Sequence, residues 1–124
     1  MAQIKSVMFI DCNDMDNFIN NELLKYYGVT NLITFKSTTD ALSYLEKTTF
    51  SYQFILVDIY MPVMDGFTFI DKFYELGLHK KQGKIGVLSA SLNPFHKEQS
   101  IEKNVGFIEK PLTMEKLLAV FQEV

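Results

Sequence analysis

Four polar side chains, each at or just beyond the end of a short apolar run, suggest a chemical role for this sequence. The runs are Val7–Ile10, Phe54–Val57, Ile85–Leu88 and Val105–Ile108, and the polar residues are Asp11, Asp58, Ser89 and Lys110. Two neighbouring carboxylates repel each other, and Mg²⁺ relieves that repulsion because it prefers oxygen ligands. A lysine charge and a serine hydroxyl can bind phosphoryl oxygens. Together these residues could transfer a phosphoryl group onto a carboxylate, with Asp58 as the nucleophile.

The elements that must position these residues follow from the pattern around them. Short apolar runs bounded by turn signals predict strands buried on both faces, and amphipathic segments between them predict helices. Strict alternation predicts an α/β fold, a doubly wound parallel sheet of five strands with helices on both faces. The order expected for it is the flavodoxin-like (βα)5 order, 2-1-3-4-5. The first and third strands are then neighbours, about 4.8 Å apart, so Asp11 and Asp58 can share one ion.

The helices are predicted from their caps and their apolar spacing. The expected caps are Asn13 or Asp14, then Ser37, Asp65, Asn93 and Thr113. The first helix is expected to bury one apolar face, formed by Met15, Phe18, Ile19, Leu23, Tyr26 and Tyr27. The helix in Asn93–Asn104 has few apolar residues and is expected to pack loosely. We expect both histidines, His79 and His96, to be solvated because their neighbours are polar.

Length, charge and cysteine count limit the possible classes. A chain of 124 residues is expected to form one domain, residues 1–124. A net charge of -3 argues against direct nucleic-acid binding. The single cysteine, Cys12, excludes an internal disulfide and favours a reducing, cytoplasmic setting. The apolar run before Asp11 is too short for a signal peptide core or a membrane span, so no membrane partner is expected.

Four motifs in order resemble the receiver domain of two-component response regulators, the CheY-like family. They are FID at Asp11, LVDIYMPVMDG around Asp58, VLSAS at Ser89 and FIEKPL at Lys110, and the resemblance covers essentially the whole chain. It implies a cytoplasmic signalling protein rather than an enzyme. Asp58 would accept a phosphoryl group from a sensor histidine kinase or phosphotransfer protein. Mg²⁺ would be the cofactor, with Asp11, Asp58 and the backbone carbonyl of Tyr60 as ligands.

The same resemblance assigns roles around the acceptor. Ser89 and Lys110 would complete the catalytic set, and Lys110-Pro111 would be a lysine followed by a cis proline. Ser89 and Phe107 would form the switch pair, a hydroxyl and an aromatic ring. A downstream protein partner would bind the Ser89–Phe107 face after a conformational change.

One position departs from the family pattern and leaves a second interpretation open. The family normally has two consecutive acids after the first strand, and here the second is Cys12. A thiol is a poor ligand for Mg²⁺. The alternative is therefore a receiver-like interaction module with impaired metal-dependent phosphorylation. A flavin-binding redox domain of the same topology is disfavoured, because the acidic segment DCNDMD would repel a phosphate.

Overall fold

A five-stranded parallel sheet forms the centre of the molecule. The computed structural model describes residues 3–90 and 93–122. Within these ranges the strand order is β2-β1-β3-β4-β5, which confirms the predicted topology. The strands are β1 Ser6–Ile10, β2 Asn31–Phe35, β3 Phe54–Asp58, β4 Lys84–Ser89 and β5 Gly106–Glu109. Ser91, part of the VLSAS motif, lies outside the described residues.

Among the described residues, five helices alternate with the strands, and each begins at a side-chain cap. They are α1 Asp14–Tyr27, α2 Thr38–Lys47, α3 Gly66–Glu75, α4 Pro94–Glu102 and α5 Met114–Phe121. The capping residue in each case accepts a hydrogen bond from a backbone N–H of the first turn, and the caps are Asn13, Ser37, Asp65, Asn93 and Thr113. These caps were predicted, since short polar side chains satisfy the free N–H groups of a helix start. A short 3₁₀ turn, Leu78–Lys80, precedes β4.

Two apolar clusters cover the two faces of the sheet. Alternate residues of β1 enter different clusters: Met8 and Ile10 on one face, Val7 and Phe9 on the other. The first cluster packs against α2 and α3, and the second against α1 and α5. Neither cluster contains a residue of α4, all of whose residues are described. The central strands are thus fixed from both sides, while α4 is attached in another way.

The predicted apolar face of α1 is wrong in four of its six positions. Met15, Phe18, Ile19 and Tyr26 are between 53% and 85% exposed, and only Leu23 and Tyr27 pack against the core. The buried residues are instead Asn17, Asn20 and Leu24. The reason is local: the start of α1 lies beside Asp11, and Asn17 Nδ2 donates to the Asp11 carbonyl at 2.7 Å. Hydrogen bonding to the sheet edge therefore decides which face of α1 turns inward.

In the described parts of the chain, every helix is too short or too polar to cross a bilayer.

Candidate functional site

The register of the sheet brings the predicted polar residues to one edge. Ile10 pairs with Val57, so Asp11 and Asp58 each follow that pair on neighbouring strands. Asp58 pairs with Leu88 and Ser89 with Glu109, which places Ser89 and Lys110 one residue further along. The carboxyl edge of an open parallel sheet is the usual ligand-binding edge.

The Lys110 ammonium contacts three carboxylates. Its Nζ lies 2.9 Å from Asp11 Oδ2, 3.3 Å from Asp58 Oδ2 and 3.0 Å from Asp16 Oδ2. The first two contacts join residues that the sequence predicted for one site. Asp16 was missed, because an acid in the first turn of a helix usually serves the helix dipole in solvent. The only signal for it was its place in the segment DCNDMD, next to the edge.

Asp11 and Lys110 are held by the backbone around them. Asp11 is fully buried, its N–H donates to the Phe35 carbonyl at 3.0 Å, and its Oδ1 accepts from the Asn13 N–H at 3.0 Å. The Lys110 N–H donates to the Ser89 carbonyl at 2.8 Å. The Lys110–Pro111 peptide is cis, as the resemblance implied. The charges therefore meet on a rigid frame.

The segment after Asp58 folds tightly over the end of β3. The Ile59 N–H donates to the Leu88 carbonyl at 3.0 Å, and the Tyr60 N–H lies 3.4 Å from Asp58 Oδ1. Gly66 passes so close that an added Cβ would lie 2.6 Å from the Asp58 carbonyl oxygen. Only glycine allows this approach, so any side chain at position 66 would displace the Asp58 backbone.

The charges in the site are strongly coupled. Burial raises the pKa of the Asp58 carboxyl; the Lys110 charge opposes this shift, and the Asp11 charge adds to it. Burial alone would lower the pKa of Lys110, but its hydrogen bonds to Asp11 and Asp16 and the nearby charges raise it. Lys110 therefore stays charged at neutral pH, and ionised Asp58 is costly in the folded state.

Ser89 and the Tyr60 side chain meet a residue that we expected in solvent. Ser89 Oγ lies 3.3 Å from His96 Nδ1, and the Tyr60 hydroxyl lies 3.4 Å from His96 Nε2. His96 is 9% exposed, so its predicted solvation is wrong, whereas His79 is exposed as expected. The sequence pattern failed because the polar neighbours of His96 share its helix but face outward, while His96 itself turns towards the site.

Phe107 and Cys12 complete the set of predicted residues. Phe107 lies within β5 opposite Val87, two residues before the edge, and is half-buried against the core. Cys12 is exposed.

The donor set fits Mg²⁺ through two acids rather than three. Mg²⁺ commonly uses one or two carboxylates and keeps several waters, and Asp11 and Asp58 both reach the same Lys110 nitrogen. Across residues 3–90 and 93–122, no three His, Cys, Asp or Glu side chains are grouped closely enough to hold a metal ion. Cys12 supplies a thiol where a third oxygen donor would help.

Comparison with known proteins identifies the family. Residues 7–122 match the sequence model of the response regulator receiver domain, so the chain belongs to that family. It is a receiver domain of two-component signalling, a class of signalling modules in which phosphorylation on an aspartate is standard.

Relatives include a response regulator and a histidine kinase. The chain is 26% identical over 120 residues to two-component response regulator 24 of Arabidopsis thaliana, covering 96% of this chain and 83% of that protein. It is 29% identical over 117 residues to the peroxide stress-activated histidine kinase mak1 of Schizosaccharomyces pombe; the match covers 88% of this chain and 7% of that protein.

Solved structures share the fold. A response regulator from Cytophaga hutchinsonii superposes with a TM-score of 0.85 at 27% identity, covering 98% of this chain and 97% of that one. The receiver domain of the Arabidopsis thaliana histidine kinase CKI1, complexed with Mg²⁺ and BeF₃⁻, has a TM-score of 0.81 at 20% identity, covering 96% and 88%.

Proposed function

We propose that residues 1–124 act as one receiver unit in which Asp58 accepts a phosphoryl group from a phosphohistidine. The donor is a sensor histidine kinase or a phosphotransfer protein. An Asp58 carboxylate oxygen attacks phosphorus, the bond from phosphorus to the donor nitrogen breaks, and the donor imidazole keeps that electron pair. The observation that carries the proposal is the convergence of Asp58 and Asp11 on the Lys110 ammonium at the carboxyl edge of the sheet.

The surrounding residues take distinct roles. Lys110 places a permanent positive charge within 3.3 Å of Asp58, where charge accumulates on the transferred group. The Ser89 hydroxyl, one residue beyond the Asp58–Leu88 pair, binds a phosphoryl oxygen. Mg²⁺, when bound, neutralises charge between carboxylate and phosphoryl oxygens, and Asp11, Asp58 and the Tyr60 carbonyl would hold it.

The downstream partner binds the Ser89–Phe107 face, whose residues 91 and 92 lie outside the described ranges. A groove of about 500 Å³ beside this face is lined from α4, β5 and α5 and includes Ile101, Phe107 and Ala119. Ile101 is 70% exposed, so an apolar partner side chain can reach it.

The test is trapping of an aspartyl phosphate by borohydride reduction. The protein is incubated with acetyl phosphate and Mg²⁺, reduced with borohydride, digested, and mapped by mass spectrometry. The label in this experiment is the residue that borohydride has reduced. It is expected at position 58, absent in Asp58→Asn, and retained in Asp71→Asn, which changes an exposed acid. Label that persists in Asp58→Asn would refute the assignment.

A second function is favoured by one observation: the exposed thiol of Cys12 stands where the family supplies an acid. The chain would then act as an interaction module without metal-dependent phosphorylation. In that case the labelling experiment gives no aspartyl phosphate with or without Mg²⁺, while partner binding is unaffected by Asp58→Asn.

A further inference from the structure

His96 is the buried side chain that joins α4 to the site. Its ring lies edge-on to Tyr60 at a centroid distance of 5.3 Å and next to Phe67 at 6.1 Å. Its two nitrogens lie within 3.4 Å of the Ser89 and Tyr60 hydroxyls. One ring therefore contacts a residue of β4, the residue two beyond Asp58, and the start of α3.

The rest of α4 is weakly attached. Of its nine residues only His96 and Ser100 are buried, and the Ser100 hydroxyl donates to Lys97 of the same helix. Its apolar residues Phe95 and Ile101 are 65% and 70% exposed. A further link at the helix end, from Lys103 to Asp71, is a partly exposed ion pair of the kind that contributes little. The contact of His96 with the site is thus a major part of what holds α4 in place.

The chemistry of imidazole makes its two hydrogen bonds interdependent. A neutral imidazole donates from one nitrogen and accepts at the other, whereas a hydroxyl can do either. If the ring donates to Ser89 it accepts from Tyr60, and the reverse holds for the other tautomer. A change at Ser89 therefore alters the hydrogen bonding of a ring that also contacts Tyr60 and belongs to α4.

We propose that His96 is a positioning residue that couples the Ser89 hydroxyl and the Tyr60 ring to α4, so that occupation of Asp58 loosens this helix. This rests on the proposed function, because the trigger is a phosphoryl group that takes the Ser89 hydroxyl as a donor. His96 Nδ1 then loses a partner in a buried position, which weakens the attachment of α4. This coupling of the site to α4 depends on the histidine at position 96 of this chain.

The decisive measurement uses the two histidines as probe and control. In ¹⁵N-labelled protein, the ring signals of His96 and His79 are recorded with and without BeF₃⁻ and Mg²⁺, together with amide exchange along α4. We expect the His96 ring signals to move, those of exposed His79 to stay, and α4 amides to exchange about tenfold faster. A His96 ring that is unchanged when BeF₃⁻ is bound would overturn the proposal.

Three substitutions separate the contact of His96 with Ser89 from its contact with Tyr60. His96→Asn keeps an amide near the place of Nδ1, His96→Gln keeps one near Nε2, and His96→Phe only fills the space. The α4 response to BeF₃⁻ should persist in His96→Asn, which keeps the Ser89 contact, and be lost in His96→Gln and His96→Phe, with His79→Asn as the matched control. An unaltered response in His96→Phe contradicts the proposal. If this variant does not fold, the ring signals of the unmodified protein decide.

Failure of the phosphorylation proposal has its own signature. Bound BeF₃⁻ should give a ¹⁹F signal that is present in the intact protein and absent from Asp58→Asn. If no such signal is found, the phosphorylation proposal is wrong, and the coupling of His96 to Ser89 is tested without ligand. Ser89→Ala should by itself shift the His96 ring signals and speed α4 exchange. If Ser89→Ala leaves both unchanged, His96 is not coupled to Ser89.

Discussion

At the scale of single residues, Lys110 and Asp16 change how the missing acid at position 12 is understood. The ammonium already interacts with Asp11, Asp16 and Asp58, each within 3.3 Å. The site thus combines three acids with one base, although the second consecutive acid is replaced by Cys12. Asp16 interacts with Lys110 from the side, where its side chain is 39% exposed. It supplies negative charge without standing in the position of the replaced acid.

Restoring the acid tests this interpretation. We expect Cys12→Asp to tighten Mg²⁺ binding at least about tenfold, since two unit charges about 4 Å apart interact by about 4 kcal/mol at an effective dielectric near 20, and the ion carries a double charge. Titration calorimetry measures the affinity, and Cys12→Asn is the neutral control of the same shape. Equal affinities in the two variants would mean that the charge at position 12 has no influence on the ion.

At this scale the sequence predicted Asp11, Asp58 and Lys110 at the ends of strands, because the end of each apolar run shows where the strand stops. It did not predict Asp16 or His96. Both lie on helices, and their roles depend on the rotation of α1 and α4 about their axes. The apolar stripe that normally reports such a rotation was misleading in α1 and weak in α4, where hydrogen bonds to the sheet edge decide it.

At the scale of elements, the segment between β3 and α3 contains a strained residue. Val63 has a φ of 71° and is 97% exposed. A β-branched residue in this left-handed region is unusual, because its Cβ crowds the following carbonyl. Strain of this kind persists where the surrounding structure imposes it, here by the hydrogen bond from the Met64 N–H to the Pro62 carbonyl at 2.8 Å and the close approach of Gly66.

Removing the strain is expected to stabilise the fold. Val63→Gly should raise the free energy of unfolding by up to about 1 kcal/mol, because the relieved Cβ penalty of about 1–2 kcal/mol exceeds the extra backbone entropy that glycine loses, about 0.5–1 kcal/mol. Urea unfolding provides the measurement. Val63→Ala is the graded control, since it keeps the Cβ and should recover only a small part of the gain. A Val63→Gly variant less stable than Val63→Ala would show that the Cβ penalty at this residue is smaller than the extra backbone entropy that glycine loses on folding.

At the scale of the whole molecule, the ionised Asp58 carboxylate opposes folding. Its pKa is raised in the folded state, chiefly by burial. A raised carboxyl pKa means that the folded state favours the protonated form. The contribution of Asp58 to the free energy of unfolding is therefore largest below the pKa that this carboxyl has in the unfolded chain. It is lost as the pH rises through the higher pKa that the carboxyl has in the folded protein.

The sign of this effect gives a test by substitution. Asp58→Asn should raise the free energy of unfolding at pH 7, because it removes a buried charge and keeps the shape, while Asp11 and Asp16 remain as partners of Lys110. The gain should vanish below the ordinary carboxyl pKa, where Asp58 is protonated in both states. Urea unfolding at several pH values checks this, with Asp71→Asn as the exposed control. A loss of stability at pH 7 would mean that the attraction of Lys110 outweighs burial.

The fold as a whole was predictable to within about a residue at the strand ends. Alternation of apolar runs with capped helices predicts a doubly wound parallel sheet. The right-handed crossover rule limits the topologies without choosing among them, and the order 2-1-3-4-5 came from the resemblance to the receiver family. The attachment of α4 was not predictable, because it depends on one buried histidine rather than on an apolar face.

The exposure of Cys12 has a practical consequence. The chain carries one cysteine, and it follows Asp11 directly. A thiol-reactive fluorophore would therefore attach at a single place, next to the carboxylate cluster, without any prior engineering of the sequence. The unmodified protein can thus be turned into an optical sensor of events at its own sheet edge.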